Sequence, residues 1–397
     1  MATVSIVKIA DHSYASIKEA VDRVIHQIGG LEHIVRPGDK VLIKPNLVAC
    51  PSDRLSGGIT RWEVCLAIYE AVQAVGGIPL IAESSAAGAD TELTITKCGY
   101  QELRDKGVPV IDLKNKENAR CVIPVENGVV FEKINTWEMV RDADVIITVP
   151  VMKTHDQTEI TLGLKNLKGL LTDTQKKDFH KQGLIEGVVD WCKTLKPALE
   201  IIDGTFGQQG LGPIFGETKE MKLIIASTDL VACEAVAGKI MGYEPEEVMI
   251  TKAAHKRGMG EMDLSKIEVV GCQIDEVASR FKRSSEVTIE GIPDSFNLIF
   301  SKDACTGCHN TVLSALMDMR AQDLFPYLEG MNVCVGPCEK KHLPADATAE
   351  NTVCVGICAK KLADEMGFRW VVGCPPGNAD VVKGILGDRR EYGVRYN

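Results

Sequence analysis

The chain has 397 residues, 45% of them hydrophobic and 25% charged, a globular balance that excludes a disordered protein and gives room for two or three domains. With 45 Lys and Arg against 55 Asp and Glu the formal charge is −10, so nucleic acid and anionic membranes, which reward a basic surface, are excluded as default partners. No apolar run reaches the roughly 18 residues of a membrane span; the longest runs, such as 145–152, have strand length.

Residues 1–8 read as an opening strand and lack the charged start and apolar stretch of a secretory signal, which predicts a cytoplasmic protein. A short apolar run at 40–44 is closed by Pro45 and Asn46, and residues 60–75 have helical periodicity up to Gly76 and Gly77. Further strand-like runs fall at 78–81, 144–150, 199–203 and 221–226, with a helical pattern at 230–241. Strand–helix alternation of this kind predicts an α/β body with an open, mostly parallel sheet. Ligands of such sheets sit beyond the carboxyl ends of the strands, so the residues that follow the apolar runs are the candidates for function.

Those residues are basic. Lys44 and Asn46 follow the first internal run, and Lys153 and His155 follow the run that ends at Pro150. The segment T-L-G-L-K-N-L-K-G-L at 161–170 supplies Lys165, Asn166 and Lys168, with His180 twelve residues beyond Lys168. A glycine-rich stretch at 203–213 is read as a loop and adds Asp203, Gly210 and Gly212. Each feature alone has a bland reading, a solvated loop charge or a plain turn. Together, Lys44, Arg61, Lys153, Lys165 and Lys168 at one sheet edge would form a local positive pocket in an acidic protein, suited to a carboxylate or phosphate. His155 and His180 are the candidate proton carriers, since imidazole exchanges protons near neutral pH.

The last 102 residues differ in composition. Seven of the 14 cysteines lie there, which predicts a boundary near 295 and a small cysteine-rich α/β domain at 296–397. Without an export signal such crowding points to metal or redox chemistry rather than disulfides. Cys305-Thr-Gly-Cys308 opens a helical pattern, where the macrodipole favours thiolate. N-V-C-V-G-P-C-E-K-K at 332–341 is echoed by T-V-C-V-G-I-C-A-K-K at 352–361, so Cys338, Cys358 and also Cys374 each follow a strand. Alternation turns Cys334 and Cys354 toward the core instead. One C-x-x-C knuckle is too few for a four-thiolate zinc site, whereas an iron–sulfur cluster accepts ligands dispersed over several strands. The expected group is a 4Fe-4S cluster on four of five cysteines, Cys305, Cys308, Cys358 and Cys374 first and Cys338 as substitute. Zinc, a redox-active thiol pair and inert cysteines remain the alternatives.

The motifs K-P-N-L at 44–47, V-P-V-M-K-T-H at 149–155 with L-G-L-K-N-L-K-G at 162–169, and I-I-D-G at 201–204 running to G-L-G-P at 210–213 resemble the family called domain of unknown function 362. The likeness spans nearly all of residues 1–295 and implies an iron–sulfur appendage, often ferredoxin-like. Here the ferredoxin cysteine run is absent, and Gly373-Cys374-Pro375-Pro376 looks like the ligand motif of the cluster-bearing subunit in quinone-reducing respiratory complexes. More distantly the body is similar to the nickel-pincer lactate racemase superfamily, whose histidines and lysine would fall on His155, Lys165 and His180.

These observations lead us to expect an oxygen-sensitive iron–sulfur oxidoreductase of anaerobic metabolism acting on a small anionic organic substrate. Lys153, His155, Lys165 and His180 would be the catalytic groups, and a redox partner protein and a homodimer are compatible with it. A non-redox lyase or isomerase using the cluster as Lewis acid, and a non-catalytic electron or cluster carrier, are the other classes.

Overall fold

The structure, a computed structural model, describes residues 1–392. Ten strands form the large sheet. From one edge the order is Ile267–Gly271, Ala2–Lys8, Phe215–Ser227, Leu199–Leu211, Val145–Val149, Lys40–Pro45, Ile78–Glu83 and Val110–Asp112. Val151–His155 continues beside the far half of Leu199–Leu211 and pairs in turn with Glu159–Thr161. The ladders from Leu199–Leu211 to Val110–Asp112 are all parallel, and the Phe215–Ser227 strand joins the sheet antiparallel. The body is therefore α/β with a mostly parallel sheet, as the alternating apolar runs predict.

Buried Val and Ile fill these strands because helices cover both faces. Tyr14–Gln27 and Trp62–Ala74 pack one core, centred on Val21, Ile43, Ile68 and Ile147. On the other face Leu184–Leu195, Leu230–Ile240 and Met249–Lys256 bury Trp191, Val231 and Ile250. Chain order places the functional edge. After Lys40–Pro45 the chain steps outward to Ile78–Glu83 and Val110–Asp112, then returns to Val145–Val149 on the opposite side of Lys40–Pro45. Strand order reverses there, and the loops on either side of such a switch point diverge to leave a crevice.

Residues 203–211 of this stretch are strand rather than loop, and only Gly212 and Pro213 lie in a turn. Leu199–Leu211 runs through it and pairs with Phe215–Ser227 from Glu200 to Leu211, with one irregularity between Gly204 and Phe206. The glycines are there for close approach: a Cβ on Gly207 would stand 2.7 Å from the Met152 carbonyl, and one on Gly212 2.1 Å from that of Thr154.

A second sheet begins at Asn297. Its four parallel strands run Asn297–Phe300, Asn332–Val335, Thr352–Val355 and Arg369–Val371 in chain order. Helices Thr306–Ala321 and Asn378–Leu386 cover one face and Lys360–Met366 the other. The two units meet closely, since Leu211 and Phe215 at the tip of the long hairpin join the core beneath Thr306–Ala321. Among the described residues no helix is long and apolar enough to cross a membrane.

Candidate functional site

A cavity of about 610 Å³ opens at the switch point. Its walls come from the ends of Lys40–Pro45, Ile78–Glu83 and Val151–His155, from helix Asp173–Gln182, from the hairpin tip, and from Ser314, Asn378, Asp380 and Lys383 of the second unit. Of the residues singled out in the sequence, Lys44, Asn46, Lys153, His155, Lys165, Asn166, Lys168 and His180 all line it.

Hydrogen bonding separates these lysines. Lys44 donates to Glu83 Oε2 at 2.9 Å, to Asn166 Oδ1 at 3.1 Å and to the Pro45 carbonyl, so all three of its protons are engaged. Lys153 donates to Asn46 Oδ1 at 2.9 Å and to the Gly58 carbonyl at 2.7 Å. Asn166 bonds in addition to the Lys44 carbonyl and to Thr148. These groups are buried scaffold in the cavity wall, not free cations. Burial pushes Lys44 down, and Lys153 down to about 7 with Lys165 adding to the effect.

Lys165 and Lys168 are placed differently. They lie three apart on the short helical segment Gly163–Asn166 and Leu167–Leu170 and face histidines instead of acids. Lys165 Nζ is 2.8 Å from His155 Nε2, and Lys168 Nζ is in hydrogen-bond contact with His180 Nε2. Burial pushes Lys165 down to about 8, partly opposed by Asp156, and holds Lys168 well below the usual lysine range. It also depresses His155 to about 4 and lowers His180, with the lysines adding to both shifts. His180 Nδ1 is buried without a partner. The floor is thus two amine–imidazole pairs that are short of negative charge, a setting that favours an anionic guest.

Four residues from the sequence reading do not reach the cavity wall. Arg61 is turned onto Glu63, with Nη2 2.7 Å from Oε1 and Nε 3.2 Å from Oε2, and it also touches His12. Asp203 accepts from the backbone N–H of Arg61 and from Thr205, which clamps the loop before Trp62–Ala74. Gly210 and Gly212 lie within the hairpin, whose tip gives the cavity Leu211, Pro213, Ile214 and Phe215 instead of a phosphate cradle. Conversely, Glu83, Lys176 and Asp156 were missed. Glu83 ends a buried strand just as Lys44 does, and that strand-end position was a legible signal. Lys176, which donates to the Ser84 and Ser85 carbonyls and the Ser84 hydroxyl, could not be told in the sequence from its neighbours Lys177 and Lys181.

The cysteines divide into two groups. Cys305 caps helix Thr306–Ala321, and Cys308 sits in its first turn. Cys305, Cys358 and Cys374 lie near enough to push the Cys308 thiol up, while the Cys308 side chain and the backbone N–H groups of the helix start bring Cys305 down to about 5. Gly356 (φ +98°) leaves space beside Cys308, whose Sγ would be 3.0 Å from a Cβ there. The Ile357 N–H donates to the Gly373 carbonyl at 3.1 Å and so draws the Cys358 and Cys374 turns together. Cys338 does not join them. Its Sγ points to the carbonyls of Val335 and Ile299, at 3.4 and 3.7 Å, in a separate buried group with Cys334 and Cys354. The repeat at 332–341 and 352–361 hid this difference, because the two copies leave their strands toward different faces.

Of the four grouped thiols, Cys305 and Cys358 are exposed, Cys374 is half-buried and Cys308 is buried. Among the described residues no three His, Cys, Asp or Glu side chains form a single-ion site. The group sits against the cavity. The Cys374 N–H donates to the His180 carbonyl at 3.0 Å, and the Leu184 N–H donates to the Cys374 carbonyl at 3.3 Å.

A mostly parallel α/β body with a lysine-rich crevice at its switch point is the frame in which the comparisons fall. Residues 41–239 match the domain of unknown function DUF362, and the chain belongs to that family. A thylakoid-associated protein of Synechocystis, sll1697, is 28% identical over 269 residues, covering 65% of this chain and 80% of that one. Lactate racemase apoprotein from Thermoanaerobacterium thermosaccharolyticum aligns with a TM-score of 0.37 at 11% identity, over 94% of this chain and 89% of its own.

Proposed function

We propose that the protein is an iron–sulfur oxidoreductase that acts on a small anionic organic molecule held in the switch-point cavity. The observation that carries this reading is the pair of backbone hydrogen bonds joining Cys374 to the chain at His180 and Leu184. They join the Cys374 turn to the end of the helix that carries His180. Cys305, Cys308, Cys358 and Cys374 would hold a 4Fe-4S cluster, which supplies or accepts one electron at a time when bound.

The chain's own residues do the rest. Lys168 attracts the acidic groups of the substrate, and an anion there relieves the cost of protonating its buried amine. His155 Nε2 and His180 Nε2 hold or take protons at the cavity wall. The hairpin tip and the second unit screen the floor from water and strengthen these interactions.

Protein purified without oxygen is expected to contain iron and acid-labile sulfide at about four each per chain. Cys358→Ser or Cys374→Ser should remove most of that iron, and Cys338→Ser should leave it in place. His155→Gln should keep the iron and abolish turnover. Iron-free protein from anaerobic preparations, or iron lost equally with Cys338→Ser, refutes the proposed ligand set.

A further inference from the structure

The hydrogen bonds around His155 favour a free amine on its neighbouring lysine. The Gln157 backbone N–H donates to His155 Nδ1 at 2.9 Å, so that nitrogen offers its lone pair. Asp156 Oδ1 lies 2.8 Å from the same atom without an aligned hydrogen bond to it, so the donor that Nδ1 accepts from is the Gln157 N–H. A neutral imidazole with a bare Nδ1 carries its proton on Nε2. Nε2 is 2.8 Å from Lys165 Nζ, and a hydrogen bond donated to Nζ requires the lone pair of a free amine. Lys44, Lys153 and Lys176, by contrast, donate to carbonyl or side-chain oxygens and face no imidazole. Lys165 combines a free amine, an adjacent imidazole and a place on the cavity wall, whereas Lys168 faces His180, whose Nδ1 has no partner to fix its tautomer.

We propose that Lys165 is an amine nucleophile that forms an imine with the carbonyl group of an anionic oxo acid; this rests on the reading that the cavity takes a small anionic organic molecule. The Lys165 nitrogen adds to the carbonyl carbon while the C=O π pair moves onto oxygen. His155 Nε2 relays a proton from the new ammonium to that oxygen. The carbinolamine hydroxyl then leaves as water, taking a proton from His155 Nε2 that the nitrogen's remaining N–H restores, and a C=N bond remains. Amine and carbonyl give imine and water, with no change of oxidation state. Lys168, on the same wall, is positioned for the acid group.

The full chain, purified anaerobically, is treated near neutral pH with glyoxylate and sodium cyanoborohydride, and the reduced adducts are mapped by peptide mass. Lys165 should be modified at least about tenfold faster than exposed lysines, which are almost wholly protonated at that pH. Excess phosphate should slow the reaction at Lys165, and Lys165→Arg should remove that adduct without changing labelling elsewhere. The map of the unaltered chain decides the matter if that variant does not fold. Glyoxylate labelling of Lys165 no faster than that of exposed lysines overturns the imine. Formaldehyde, an uncharged probe, is run in parallel. If formaldehyde selects Lys165 and glyoxylate does not, the amine is reactive but the anionic cavity is refuted, and the proposal falls with it. Iron content of the same samples reports separately on the cluster.

Discussion

Lysine burial separates two kinds of cation in this protein, and each has a distinct experimental signature. Lys44 and Glu83 are 1% and 3% exposed and 2.9 Å apart. Removing one partner of such a pair strands the other charge in the interior. Glu83→Ala is therefore expected to destabilise the fold by about 3–5 kcal/mol in urea unfolding. A loss below about 1 kcal/mol would mean that the pair is solvated. Lys168 has no carboxylate partner in hydrogen-bond reach, so Lys168→Met should leave stability unchanged or raise it. The same substitution should weaken binding of phosphate or a small dicarboxylate by at least about tenfold, the worth of one charge-assisted hydrogen bond. Titration calorimetry and urea melts on the same variant test both halves. That Lys44 and Lys168 have different roles was not legible in the sequence. Both follow or flank apolar runs, and only the positions of Glu83 and His180 distinguish them.

The elements that carry these residues are held by unusually close contacts. Gly163 begins the segment bearing Lys165, and its N–H donates to the buried Glu200 at 2.7 Å. A Cβ at Gly163 would lie 2.4 Å from the Glu200 carboxyl carbon. The next N–H, of Leu164, donates to Glu234 Oε1 at 2.8 Å, and burial and mutual repulsion raise the Glu200 carboxyl well above its ordinary range. Gly163→Ala must displace the segment from this pair. It should cost about 1–3 kcal/mol in stability and reduce anion binding in parallel. Unchanged binding in a folded variant would show that Lys165 and Lys168 do not depend on this anchorage. The strand and helix pattern, including the runs at 40–44, 78–81 and 144–150, was legible because fully buried strands read as unbroken apolar stretches. The strand through 203–211 was not, because Gly204 and Gly207 answer to neighbouring carbonyls rather than to a turn.

At the scale of the molecule, a crowd of buried amines links stability to pH. Lys153 and Lys176 titrate at about 7 and Lys165 at about 8, against 10.5 for an ordinary lysine. Between these values the unfolded chain binds more protons than the folded one, so stability rises with pH. Ligand-free protein should therefore melt at a higher temperature at pH 9 than at pH 7, which thermal unfolding at constant ionic strength will show. Bound phosphate should narrow the gap by stabilising the protein more at pH 7, because the anion favours the protonated amines. A melting temperature that falls from pH 7 to pH 9 would mean that the lysines are charged without a ligand. Ser314, Asn378, Asp380 and Lys383 of the second unit give this cavity its far wall, and backbone bonds tie Cys374 to the chain at His180 and Leu184.

Composition, apolar periodicity and residue spacing were enough to establish the α/β body, the strand-end basic residues and a thiol-rich second unit, because each of these is written in local order along the chain. Which lysines remain free, which cysteine is left out, and how the thiols come to lie beside the histidines were decided by packing. Those facts depend on partners brought close by folding: Glu83 is 39 residues from Lys44 and Asn166 is 122, and no spacing rule reaches across such separations.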